Sequence, residues 1–70
     1  MIKPTKRAEL VKALLANGCT RLRDRGDHEV FACPCGKHMG PVPRHREITA
    51  GVCRSLIKQL SCLPEGWMPQ

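Results

Sequence analysis

The chain has 70 residues, a formal net charge of +6 and two aromatic side chains, Phe31 and Trp67. A chain this short forms at most one domain and buries only about 60% of its unfolded surface, so a disulfide, a metal or a partner protein is expected to add stability. A sequence pI of about 9.5 points to a polyanionic partner: nucleic acid, a membrane surface or an acidic protein.

Met1 to Pro4 reads as a tail. Charges at Lys3, Lys6 and Arg7 precede no apolar run, so neither a signal peptide nor a membrane span is expected. A cytoplasmic location follows. The cysteine count of five is odd, which argues against a complete disulfide framework and for reduced thiols.

Thr5 is a candidate cap for a helix over 5–16. Leu10, Val11, Leu14 and Leu15 form its apolar stripe, and Lys6, Arg7, Glu9 and Lys12 its wet side. Asn17-Gly18 stops it, because glycine accepts the left-handed conformation past a helix end. From Cys19 to Arg25 the chain alternates. Cys19, Arg21, Arg23 and Arg25 fall on one face, and Thr20, Leu22 and Asp24 on the other. Gly26-Asp27 supplies a turn. A second strand follows, with Glu29, Phe31 and Cys33 on one face and His28, Val30 and Ala32 on the other. Phe31 and Leu22 are the expected core-facing residues, which aims His28 at the open face.

Pro34-Cys35-Gly36-Lys37 is the next turn. The third strand, 38–42, contains Pro41 and therefore belongs at an edge. Pro43 to Glu47 reads as an irregular loop carrying Arg44, His45 and Arg46. Thr49 caps a second helix with Val52, Leu56 and Leu60 at helical spacing and Cys53 and Ile57 beside them; Leu63-Pro64 ends it. Trp67, in a tail over 65–70, is expected to pack over the end of that helix. The ordered core spans about 5–62. The fold class is α+β in the order α-β-β-β-α. Two helices cover one face of a three-stranded antiparallel sheet, and the other face stays open.

This chain resembles the HicA toxin family from about Lys6 to Leu60. The resemblance rests on the helix ending in Asn17-Gly18, the Gly26-x-His28 turn and Phe31 three residues beyond it. It continues through Val42-Pro43 and the Thr49-x-Gly51-x-x-Arg54-Ser55-x-Ile57 opening of the last helix. Asp27 stands where the family commonly has serine, and Cys33-Pro34-Cys35-Gly36 is not the family's commonest turn. The resemblance implies a fold like that of a double-stranded-RNA-binding domain and an mRNA endoribonuclease whose catalytic histidine falls on His28. It also implies a HicB-like antitoxin as partner, with which a heterotetramer could form.

Metal-independent RNA cleavage needs the 2′-OH deprotonated and the leaving 5′-oxygen protonated. Histidine serves either step, because its ordinary pKa of about 6.5 lies near working pH. Cations must meet the charge that grows on the phosphate. Arg21, Arg23 and Arg25 are the candidates beside His28; Lys37, Arg44 and Arg46 extend the candidate RNA-binding set. No cofactor is expected. Asp27 and Glu29 face away from His28, which leaves the second catalytic group unassigned.

Two rivals compete with this reading. One keeps the fold as a non-enzymatic RNA-binding domain. The other treats Cys33-x-Cys35-x-x-His38, with His45, as zinc ligands. Cysteine pairs in zinc knuckles usually enclose two to four residues, so that a tight turn aims both sulfurs at one ion. Here one residue intervenes, and Cys53 or Cys62 would complete the set only if folding happened to bring it near. No metal is therefore expected from the spacing.

Overall fold

Chain reversals at Asn17-Gly18 and Gly26-Asp27 set the layout. The computed structural model describes residues 2–69. Met1 and Gln70, which belong to the expected tails, lie outside the described residues. The elements are β1 (Thr5–Lys6), α1 (Arg7–Ala16), β2 (Thr20–Asp24), β3 (His28–Ala32), β4 (Met39–Pro43), β5 (Glu47–Ile48) and α2 (Ala50–Gln59). The expected α+β fold is present: two helices and an antiparallel sheet in the order β2-β3-β4. A short β1–β5 ladder, pairing Thr5 with Ile48 and Lys6 with Glu47, joins it.

Local signals explain most of these boundaries. Gly18 takes a φ of 89°. Its N–H donates to the Leu15 carbonyl, and that of Cys19 to the Leu14 carbonyl. Those two bonds close a Schellman turn and use carbonyls that the end of α1 would leave orphaned. Gly26 has a φ of 76° while, among the described residues, no non-glycine residue has a positive one, the pattern of a type II′ hairpin turn. The Thr49 hydroxyl accepts from the Val52 N–H and caps α2.

Thr5 does not cap α1. The cap position is Lys6, without a side-chain bond. Thr5 instead lies buried in β1, and its hydroxyl donates to the Pro69 carbonyl. The stretch expected as an irregular loop also contributes β5. Both departures have one cause. The two-residue strands have no internal period and exist only because the chain termini and the Glu47 region meet in space.

Phe31 is fully buried on the helix-covered face, with Leu10 and Leu14 of α1 and Leu56 of α2 in the same cluster. Leu15, expected in the α1 stripe, is 43% exposed, and Leu22, expected in the core, is 45% exposed. Leu22 occupies a bulge: Arg21 pairs with Phe31, but Arg23 pairs with Val30, the next residue of β3. An extra residue in β2 shifts the alternation by one and carries Leu22 out of the core. Trp67 packs where expected, buried with Leu63 and Met68 against the core. The last segment is therefore folded back and is no tail.

Gly40 of β4 lies opposite Phe31. A Cβ built on Gly40 would stand 2.8 Å from Leu56 Cδ2 and 3.5 Å from Leu60 Cγ. Close approach of α2 to the edge strand depends on that missing side chain. Gly40→Ala is expected to destabilise the fold by about 1–3 kcal/mol through overpacking, read as a lower urea midpoint with an unchanged slope.

Candidate functional site

The Gly26-Asp27 turn places Arg25 directly across from His28, and the Arg25 N–H donates to the His28 carbonyl at 2.8 Å. From there the β3 alternation sends Glu29 and Phe31 inward and His28 and Val30 outward. His28 is exposed, at the end of the open sheet face. Arg23, paired with Val30, shares that face. Both Arg23 and Arg25 are exposed, and neither has a carboxylate partner among the described residues.

Arg21 departs from the expected set. The bulge at Leu22 leaves it on the face of Phe31, with its guanidinium carbon 5.7 Å from the ring centroid. Its Nε donates to Glu29 Oε2 at 3.1 Å. Arg44 is also engaged, with Nη2 at 2.6 Å from Asp24 Oδ2 and 4.0 Å from Glu29 Oε2. Arg46 lies past β4 beside Lys6, along a shallow groove at the start of α1. Lys37 sits in the β3–β4 turn, at the opposite end of β3 from His28. Five residues of strand make that about 16 Å, too far for a cation that must meet the same phosphate.

Glu29 is the residue the sequence reading passed over. Its side chain is 14% exposed and is bound by Arg7 Nη2 at 2.7 Å as well as by Arg21. Arg7, expected on the wet side of α1, also donates from Nε to the Pro43 carbonyl at 3.0 Å. The carboxylate thus ties the start of α1, β2 and the end of β4 to the central strand. A signal for this was available: an acidic residue alternating with Phe31 must point inward, and an inward charge needs a partner.

Asp24 supports the turn from the other side. Its carboxylate takes the Arg44 guanidinium and the Gly26 N–H. Arg44 first, and Gly26 second, hold the Asp24 carboxyl below the usual range. A depressed acid stabilises the fold above its ordinary pKa, and that contribution is lost as pH falls through the lowered value. Asp24→Asn should therefore flatten the acid-side dependence of stability, measured by urea unfolding at a series of pH values.

A second constellation lies at the far end of the sheet. Cys33, Cys35, His38 and Cys62 bring their ligand atoms within 4.8 Å of one another. Cys33 and Cys62 are paired sulfur to sulfur, whereas Cys19, Cys35 and Cys53 are free thiols. That pairing runs against the expectation that all the cysteines are reduced. The other suggested ligands are elsewhere. Cys53 is buried with its Sγ 3.8 Å from the Ile48 carbonyl, and His45 lies near Thr49 and Val52. Burial pushes the Cys19 thiol up, so it stays protonated and inert.

The architecture is that of a small basic α+β protein with one polar, cation-lined end. The sequence model of the HicA toxin of bacterial toxin–antitoxin systems matches residues 7–61. That span covers most of the chain, and the chain belongs to the HicA toxin family. Membership makes it a toxin of a toxin–antitoxin system, with an antitoxin as its counterpart. Among curated proteins and among solved structures, nothing matches. No helix among the described residues is long and apolar enough to cross a membrane.

Glu29→Gln keeps the shape but removes the charge that Arg7 and Arg21 share. It is expected to lower stability by about 1.5–3 kcal/mol, the range for hydrogen bonds to charged groups. Chemical denaturation checks this, and Glu9→Gln on the exposed side of α1 serves as a near-neutral comparison.

Proposed function

We propose that the chain is a cytoplasmic mRNA endoribonuclease in which His28 is the catalytic residue and Arg23 and Arg25 bind the scissile phosphate. One observation carries this reading. The exposed His28 lies across a two-residue turn from Arg25, on the same open face as Arg23. Two unpaired guanidinium groups beside a solvent-facing imidazole suit a reaction that builds negative charge on a phosphate.

In this reading His28 takes the proton of the 2′-OH as its oxygen attacks phosphorus. The P–O2′ bond forms as the P–O5′ bond breaks, water protonates the leaving oxygen, the hydroxide left takes the proton back from His28, and a 2′,3′-cyclic phosphate remains. Arg21 and Arg44 hold the site's frame through Glu29 and Asp24 and do not themselves grip RNA. With no aromatic side chain on the open face, recognition rests on phosphate and shape rather than on base stacking. The antitoxin partner is a HicB-like protein that presents an acidic surface to the same face and covers His28.

Induced expression of the wild type is expected to arrest growth and fragment mRNA, and His28→Ala to do neither. Equal toxicity, or equally intact RNA, would reject the enzyme and leave a non-enzymatic RNA-binding domain. In binding assays with His28→Ala, adding Arg23→Ala or Arg25→Ala should weaken RNA binding and reduce the salt slope by about 1 each. Saturating antitoxin should stop cleavage.

A further inference from the structure

The group at the far end of the sheet has no role in RNA chemistry at His28. We propose that Cys33, Cys35, His38 and Cys62 form a closed, four-coordinate zinc site that staples the β3–β4 turn to the segment following α2. A disulfide between Cys33 and Cys62 would account for two of the four groups and leave Cys35 and His38 converging on them without cause. The Cys33 and Cys62 Cα atoms are 6.9 Å apart, at the upper limit of the usual disulfide range of about 4.4–6.8 Å. Four donors around one Zn2+ at bonds of about 2.3 Å would stand roughly 3.8 Å from each other. All four ligand atoms already lie within 4.8 Å, and the group reaches that size once the bonded Cys33 and Cys62 sulfurs move apart.

The turn itself has the features such a site needs. Between Cys35 and His38 lie two residues, Gly36 and Lys37, the spacing that the Cys33–Cys35 pair lacks. Gly36 takes a φ of 74°, which turns the chain sharply between the two donors. The Lys37 N–H donates to Cys35 Sγ at 3.4 Å, and His38 Nδ1 stands 3.1 Å from the same sulfur. An N–H aimed at a thiolate stabilises its charge, as outer-shell donors do at metal sites. The Cys33 N–H donates to the His38 carbonyl at 2.8 Å, which holds these two ligands on opposite arms of the hairpin. Cys62 arrives from 29 residues along the chain.

A thiol reductant first supplies two electrons and two protons to open the Cys33–Cys62 pair; binding then replaces three S–H bonds with three Zn–S bonds and releases three protons, and neutral His38 gives its Nδ1 lone pair. The metal-binding step itself exchanges no electrons, and thiol reductants of the kind that keep cytosolic cysteines reduced serve the step before it. Three thiolates leave the centre with one net negative charge, beside the cationic Lys37. All four positions are filled by protein, which makes the site structural rather than catalytic. It supplies the staple that a chain of this length needs.

The test uses the full chain, purified in reductant without chelator. Metal analysis and native mass spectrometry are expected to find one zinc per chain, and a chelator to lower Tm by about 10 °C or more. Cobalt(II) titrated into the stripped protein should give thiolate charge-transfer absorption and the visible bands of a tetrahedral site. Cys35→Ser and His38→Ala, neither of which touches a Cys33–Cys62 disulfide, should each lose those bands and the chelator sensitivity. Metal-free protein with an oxidised Cys33–Cys62 pair would overturn the proposal. So would cobalt spectra unchanged by Cys35→Ser. If a variant does not fold, the cobalt spectrum and chelator response of the unaltered chain decide alone. None of these readouts involves RNA cleavage.

Discussion

The half-buried carboxylate of Glu29 is the constraint on which the rest of the structure depends. It sits on the central strand and takes Arg7 from the first helix and Arg21 from one edge strand. Arg7 in turn reaches the Pro43 carbonyl of the other edge strand. Neighbouring strand residues point to opposite faces, so fixing Glu29 inward fixes His28 outward. The ion pairs of Glu29 thus reinforce, from the other side of the sheet, the outward aim of the histidine that the burial of Phe31 sets.

The same network divides the positive charge of the chain into two populations. Arg7, Arg21 and Arg44 are paired with Glu29 and Asp24, which offset two of their three positive charges, and they act as structure. Arg23 and Arg25 keep their charge available on the open face. A basic pI alone does not distinguish these populations. Carboxylates are scarce in this chain, and each one used internally removes arginines from the surface field that a polyanion meets.

The sheet has two chemically distinct ends, set by the direction of β3. Its first residue, His28, faces solvent among guanidinium groups. Just past its last residue, Cys33 turns inward among sulfur and imidazole donors. About 16 Å of strand separates them. The polar end is suited to an anionic partner, and the sulfur end to holding the β3–β4 turn against the chain that follows α2.

Much of the fold was legible in the sequence because its signals are local. Asn17-Gly18 ends α1, Gly26-Asp27 makes the hairpin, Thr49 caps α2, and Phe31 identifies the buried face of β3. Each of these acts within a few residues. The sequence also determined that His28 lies opposite the core side, since that follows from its distance to Phe31. What the tertiary structure alone decided are matters of register and long-range meeting. The bulge at Leu22 moved Arg21 from the open face to the covered one, and nothing in the strict alternation of residues 19–25 announces an extra residue. The β1–β5 ladder exists only where distant segments touch. Cys62 joins Cys33, Cys35 and His38 across 29 residues, a proximity that motif spacing cannot encode because it depends on where the end of α2 packs.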